Sequence, residues 1–126
     1  MFDGRDLEDA ERMIDDWQAG IGARAAQARE LSARLAAVRV TARSEDGLVE
    51  VTIGSTGDIV RLELAEGIRG RPAAETARAI LTTLRVARRA LAAEVTEVTT
   101  ATVGAESEAG RAVIESYARR LREPEE

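Results

Sequence analysis

The chain has no cysteine and no histidine among its 126 residues, its 18 cationic side chains are all arginine, and it holds only two prolines. Without cysteine there is no disulfide framework. Without cysteine or histidine, neither a zinc site nor a histidine-based catalytic triad can be built. No cluster of serines or paired carboxylates stands out to suggest other active-site chemistry, so an enzyme is not expected, nor any metal or cofactor. No run of about 18 apolar residues occurs, which argues against a membrane span. The opening stretch MFDGRDLEDAER has no signal-peptide apolar run, and a cytosolic protein is expected.

A formal net charge of −5 argues against a generally basic nucleic-acid surface, because phosphate binding needs local positive charge to displace counterions. The distribution of charge therefore matters more than its total. The exclusive use of arginine fits either the bias of a GC-rich genome, which is favoured, or a preference for planar, bidentate donors. The length suits one domain, small enough that a partner subunit would help to bury its apolar surface.

From Asp6 to about Ala37 the residues Leu7, Ile14, Ile21, Ala28 and Leu35 recur every seven positions. A second series, Ala10, Trp17, Leu31 and Val38, lies three residues behind and is broken by Arg24. These are heptad positions, and they predict a long helix with one narrow apolar seam that needs another helix against it. Trp17 reads as an anchor of that seam. Gly20 and Gly22 weaken its middle by roughly 1 kcal/mol each relative to Ala, so a bend is possible there.

Val38 to Arg43 alternates with strand period, as do Leu48 to Ile53 and Ile59 to Leu64. Val49, Val51 and Ile53 share one face, and Val60, Leu62 and Leu64 another, so the apolar side of the hairpin needs a cover. Asp46-Gly47 predicts a two-residue type I′ turn, placing Arg43 opposite Glu50. Gly54 to Asp58 forms the second turn. Pro72 opens a second helix, with Ala77, Ile80, Leu81, Leu84, Ala87, Leu91, Val95 and Val98 at helical spacing to about Thr100. Gly104 is a stop. A third helix, Glu106 to about Arg122, carries Val113, Ile114, Tyr117 and Leu121, and Glu123 to Glu126 reads as a frayed acidic tail. The fold class is α+β: a long helix, a three-stranded antiparallel meander, a long helix and an extra C-terminal helix.

Arg78, Arg85 and Arg89 fall within about 40° of one another on the second helix, roughly opposite its apolar stripe, and Arg88 lies toward the stripe's edge. Arg85, Arg88 and Arg89 have no acidic residue three or four positions away, which leaves them available to an external phosphate. Arg39 with Arg43, and Arg69 with Arg71 ahead of a helix amino terminus, are further phosphate candidates. The stretch Gly67-Ile68-Arg69-Gly70 matches no nucleotide-binding loop, and specific base reading is not indicated.

The run VTARSEDGLVEVTIGSTGDIVRLEL, Val40 to Leu64, resembles the most recognisable part of the YbaB/EbfC family of bacterial nucleoid-associated proteins. Gly47-Leu48-Val49 and Val51-Thr52-Ile53 are the densest match, and the order of elements fits from Leu7 to Thr102. The resemblance implies a YbaB-like homodimer with tweezer-like helical arms, a domain over residues 1–104 and a C-terminal extension over 105–126. It also implies a cytoplasmic, nucleoid-associated protein that binds DNA with little sequence preference in chromosome organisation or gene regulation, with no enzymatic activity and no metal. In such a dimer the seam of Leu7, Ile14, Trp17, Ile21, Leu31 and Leu35 is buried partly by helices of the partner. Actinobacterial relatives of the fold associated with specialised secretion systems supply the alternative, a homodimeric adaptor for another protein with little or no DNA binding. Under the nucleoid-associated reading, DNA binding should be weak and collapse with salt.

Overall fold

A computed structural model of the protein describes residues 4–122. The expected acidic tail, Glu123 to Glu126, lies outside the described residues. The elements run in the order helix α1 (Gly4–Ala36), strands β1 (Val40–Arg43), β2 (Val49–Ile53) and β3 (Ile59–Leu64), a 3-10 turn (Glu66–Gly70), and helices α2 (Ala73–Thr102) and α3 (Glu108–Arg120). The 3-10 turn lies in a stretch read from sequence as a loop. Helix α1 passes through Gly20 and Gly22 without interruption, because good helix formers on both sides outweigh the local cost of glycine. At its end Arg39 folds back, donating to the carbonyls of Ala36 at 3.2 Å and Val38 at 2.8 Å, acceptors that a helix terminus leaves open.

The three strands form an antiparallel meander in the order β1-β2-β3. Arg43 does face Glu50. The turn that achieves this is not type I′: only Gly47 has positive φ (75°), and its amide donates to the Ser44 carbonyl at 2.9 Å. A tight turn followed by one left-handed residue keeps the same register at this hairpin. The second turn repeats the device, with Gly57 at φ 86° donating to the Gly54 carbonyl at 3.0 Å. Its strands then slip: Thr52 pairs with Arg61 but Ile53 with Ile59, leaving Val60 as an extra residue. This bulge breaks the simple alternation expected of β3 and sets Ile59, not Val60, across from buried Ile53.

Helix α2 lies across β1 and β2, burying a stripe of Thr83, Ala87, Leu91, Val95 and Thr99. The core joins this stripe to Val49, Val51 and Ile53 of β2, Ala42 of β1, and Leu31, Leu35 and Val38 at the end of α1. Pro72 sits at the cap position of α2, one residue ahead of its first turn. After α2 the chain turns at Gly104, and Ser107 caps α3 by accepting from the Gly110 amide at 3.0 Å. A Cβ on Gly110 would lie 2.1 Å from the Gly104 carbonyl oxygen, so the turn closes only around a residue without one. Helix α3 then packs on α2 through Val113, Tyr117 and Leu121.

One ionic contact ties the β1–β2 turn to the segment leading into α2. Asp46 accepts from the Ser44 hydroxyl at 2.7 Å and the Leu48 amide at 3.0 Å, and it pairs with Arg71. The Ser44 hydrogen bond first, then that of Leu48 and then Arg71, lower its pKa from 3.8 to about 2.

Two outcomes are expected. The Thr99 hydroxyl is fully buried with no hydrogen-bond partner among the described residues. Thr99→Val should therefore raise stability by about 1 kcal/mol in denaturant unfolding, by removing an unsatisfied polar group while keeping its shape. Because the folded-state pKa of Asp46 lies below its unfolded value, its contribution is present above pH 3.8 and is lost as pH falls toward about 2. Thermal melts across that window should fall less steeply for Asp46→Asn than for the unsubstituted protein.

Candidate nucleic-acid interface

Burying the Thr83 to Thr99 stripe of α2 turns its opposite face to solvent. Arg78, Arg85 and Arg89 are exposed there. Arg78 and Arg85 form no ion pair or hydrogen bond among the described residues, and the neighbouring Glu75 does not reach Arg78. Arg89 is engaged within the chain. Arg88, at the edge of the stripe, is half-buried and donates from Nε to the Gly57 carbonyl at 3.3 Å, fixing α2 against the β2–β3 turn.

The remaining sequence candidates are held within the chain. Arg39 caps α1. Arg43 pairs with Glu50 at 3.3 Å, Arg69 with Glu66 at 3.0 Å, and Arg71 with Asp46. On the outer sheet face Glu50 and Glu63 stand opposite each other, with Arg43 and Arg61 paired to them. Its side-chain contact with Glu50 across the strands, and then the Arg61 guanidinium, hold Glu63 below the usual carboxylate range. This face is internally neutralised. It offers phosphate little net field, whereas Arg78 and Arg85 have no counter-ion to lose.

The field is uneven along α2. At its amino-terminal end Arg78 borders a cleft of about 490 Å³, shared with Arg43 and with Glu45 and Asp46 of the β1–β2 turn. About 10 and 15 Å further along the helix, at ~1.5 Å per residue, Arg85 and Arg88 lie toward the opposite end of the sheet.

The seam of α1 divides. Leu31 and Leu35 enter the core, while Leu7, Ile14, Trp17 and Ile21 are exposed, Trp17 at 67%. Helix α1 passes the α2–α3 turn where Arg24, Gln27 and Ala28 border Val103 and Ser107. The roughly 20 residues before that point form an arm of about 30 Å. Residues 4–22 of the arm carry six acidic and two basic side chains. Arg12 is paired, at 3.6 Å, with Asp9. The inner face of β3 is likewise uncovered: Leu62 and Leu64, opposite buried Val51 and Val49, are each more than 40% exposed.

Other cations escaped the sequence reading. Arg24 and Arg29 on α1 have no partner among the described residues, and α3 ends in Arg119 and Arg120, followed by Arg122. The available signal was the short α2–α3 connection, which returns the end of α3 along α2. Among the described residues no group of three or more Asp or Glu could hold a metal ion, and no helix is long and apolar enough to cross a membrane.

No match to a curated protein is found. The family profile of the YbaB/EbfC DNA-binding family matches residues 9–108, which takes in most of α1, the whole meander and α2 and stops at the first residue of α3. On that match, with the helix, meander and helix it spans, the chain belongs to the YbaB/EbfC DNA-binding family.

Proposed function

We propose that this protein is a cytoplasmic, nucleoid-associated homodimer that holds DNA by its phosphates, with little sequence preference, and performs no catalysis. The observation that carries the reading is the pair Arg78 and Arg85, exposed and without a counter-ion on the outer face of α2. Guanidinium groups of this kind suit phosphate oxygens, and a contact set made of them reads backbone rather than base edges. The family match supports DNA as the ligand.

The homodimer is supported by two uncovered apolar surfaces, the inner face of β3 and the outer half of the α1 seam. Fully burying each side chain of such size is worth about 1.5–3 kcal/mol, which makes a second copy a natural cover. An edge strand with an open apolar face is also a liability unless something pairs with it or packs on it.

A second reading, an adaptor for another protein, rests on the acidic arm. Its charge repels DNA, and its exposed seam of Leu7, Ile14, Trp17 and Ile21 suits a protein helix. A complex recovered from cell extract after nuclease treatment would favour it, and a complex that vanishes with the DNA would count against it.

Binding to an arbitrary fluorescent duplex should be measurable at low salt and fall steeply as salt rises, with a solution mass of two chains. Arg78→Gln/Arg85→Gln should flatten the logarithmic salt slope by about 2 per protomer, since each neutralised phosphate contributes roughly 0.9. Binding by this variant equal to that of the unsubstituted protein would rule out the α2 face. Trp17 is the one tryptophan, so its emission reports on the arm directly. It should shift to the red when Leu62→Asp/Leu64→Asp releases monomers, if the partner covers both surfaces.

A further inference from the structure

Helix α3 lies almost wholly beyond the family match, which ends at residue 108. Its placement is nevertheless tightly specified. The Ser107 cap, the positive φ of Gly104 and the Gly110 contact fix how α3 leaves the turn, and Val113, Tyr117 and Leu121 fix it along α2. The far end of α3 arrives at the same backbone that Arg88 holds. A Cβ on Gly57 would lie 2.9 Å from the Leu121 Cδ2 atom and 3.9 Å from the Arg88 Nε atom.

Around that meeting point arginines lie in the middle of α2 and at the end of α3. Arg85 and Arg89 lie within one turn of Arg88 on α2, and Arg119, Arg120 and Arg122 lie within two residues of Leu121 on α3. Arg120 stacks over the Tyr117 ring, 5.0 Å from its centroid, so the ring anchors this guanidinium. Arg119 is exposed with no partner among the described residues. The acidic residue next to the shared turn, Asp58, is exposed and accepts from the Thr56 hydroxyl at 3.1 Å. Basic side chains in a last helical turn also complement the helix dipole, but that effect falls off within the turn and does not require side chains of a second helix to converge.

We propose that α3 extends the phosphate-binding surface of α2, so that Arg119 and Arg120 contact the same DNA backbone as Arg85. The inference rests on the DNA-binding reading and adds a contact set that the family-matched region does not contain. Arginines on adjacent helices can reach phosphates on one duplex, and each contact adds to the salt slope.

The test is the salt dependence of affinity for an arbitrary 20-base-pair duplex, with full-length protein carrying Arg119→Gln/Arg120→Gln, and with Arg119→Lys/Arg120→Lys as the charge-preserving comparison. The Gln variant should lose about 1 to 2 from the logarithmic salt slope per protomer and bind several-fold more weakly at low salt. The Lys variant should keep most of the slope. Thermal melts and solution mass are measured alongside. A Gln variant that melts lower yet keeps the full slope assigns these residues to the helix end alone and overturns the proposal. If the unsubstituted protein does not bind the duplex at low salt, the underlying DNA reading falls. If it binds and the Gln variant matches it, only the role of α3 falls.

Discussion

The packing of one stripe, Thr83, Ala87, Leu91, Val95 and Thr99 of α2, against Val49, Val51 and Ile53 of β2 is the contact on which the rest of this structure depends. These residues are among the most completely buried in the chain. Once that side of the helix is committed to the sheet, the 3.6-residue period leaves Arg78, Arg85 and Arg89 on the far side. The end of α1 and the apolar side of α3 pack on the same helix, so α2 is both the core of the domain and its exposed cationic face. Substitutions in the stripe would therefore disturb the candidate interface without touching an arginine.

The charge of the chain is segregated in a way its total conceals. A net −5 suggests a poor DNA ligand, but the acidic residues of α1 cluster on the arm that leaves the body, while most other acidic side chains near the sheet neutralise Arg43, Arg61, Arg69 and Arg71 within the chain. Among the described residues the arginines without a partner include Arg78 and Arg85 of α2, Arg119 of α3, and Arg24 and Arg29 on the inner half of α1. Phosphate responds to the local field within about a Debye length, ~8–10 Å, so this distribution outweighs the sum.

Much of the fold was legible in the sequence because its periods are clean. The heptads of α1, the alternation of Val49 to Ile53 and the spacing from Ala77 to Val98 each predict the observed element. The type I′ turn failed because Asp46 is worth more as an acceptor for Ser44, Leu48 and Arg71 than in a left-handed conformation, which costs a non-glycine residue energy. The bulge at Val60 carries no local signature, since Ile59 and Val60 are both good strand residues and only cross-strand register distinguishes them. The arginines were visible one helix at a time. What could not be read was contact across elements: that Arg71 reaches Asp46, that Arg88 is held by the Gly57 carbonyl, and that the end of α3 brings Leu121 to the same turn.

The claim that the outer face of α2 carries DNA is tested most directly by arginine-selective chemical modification with and without duplex, read out residue by residue by mass spectrometry. DNA should protect Arg78 and Arg85 while leaving the reactivity of Arg43, Arg61 and Arg69 unchanged. Protection confined to the outer sheet face, or to the arm of α1, with Arg78 and Arg85 still reactive, would contradict the account.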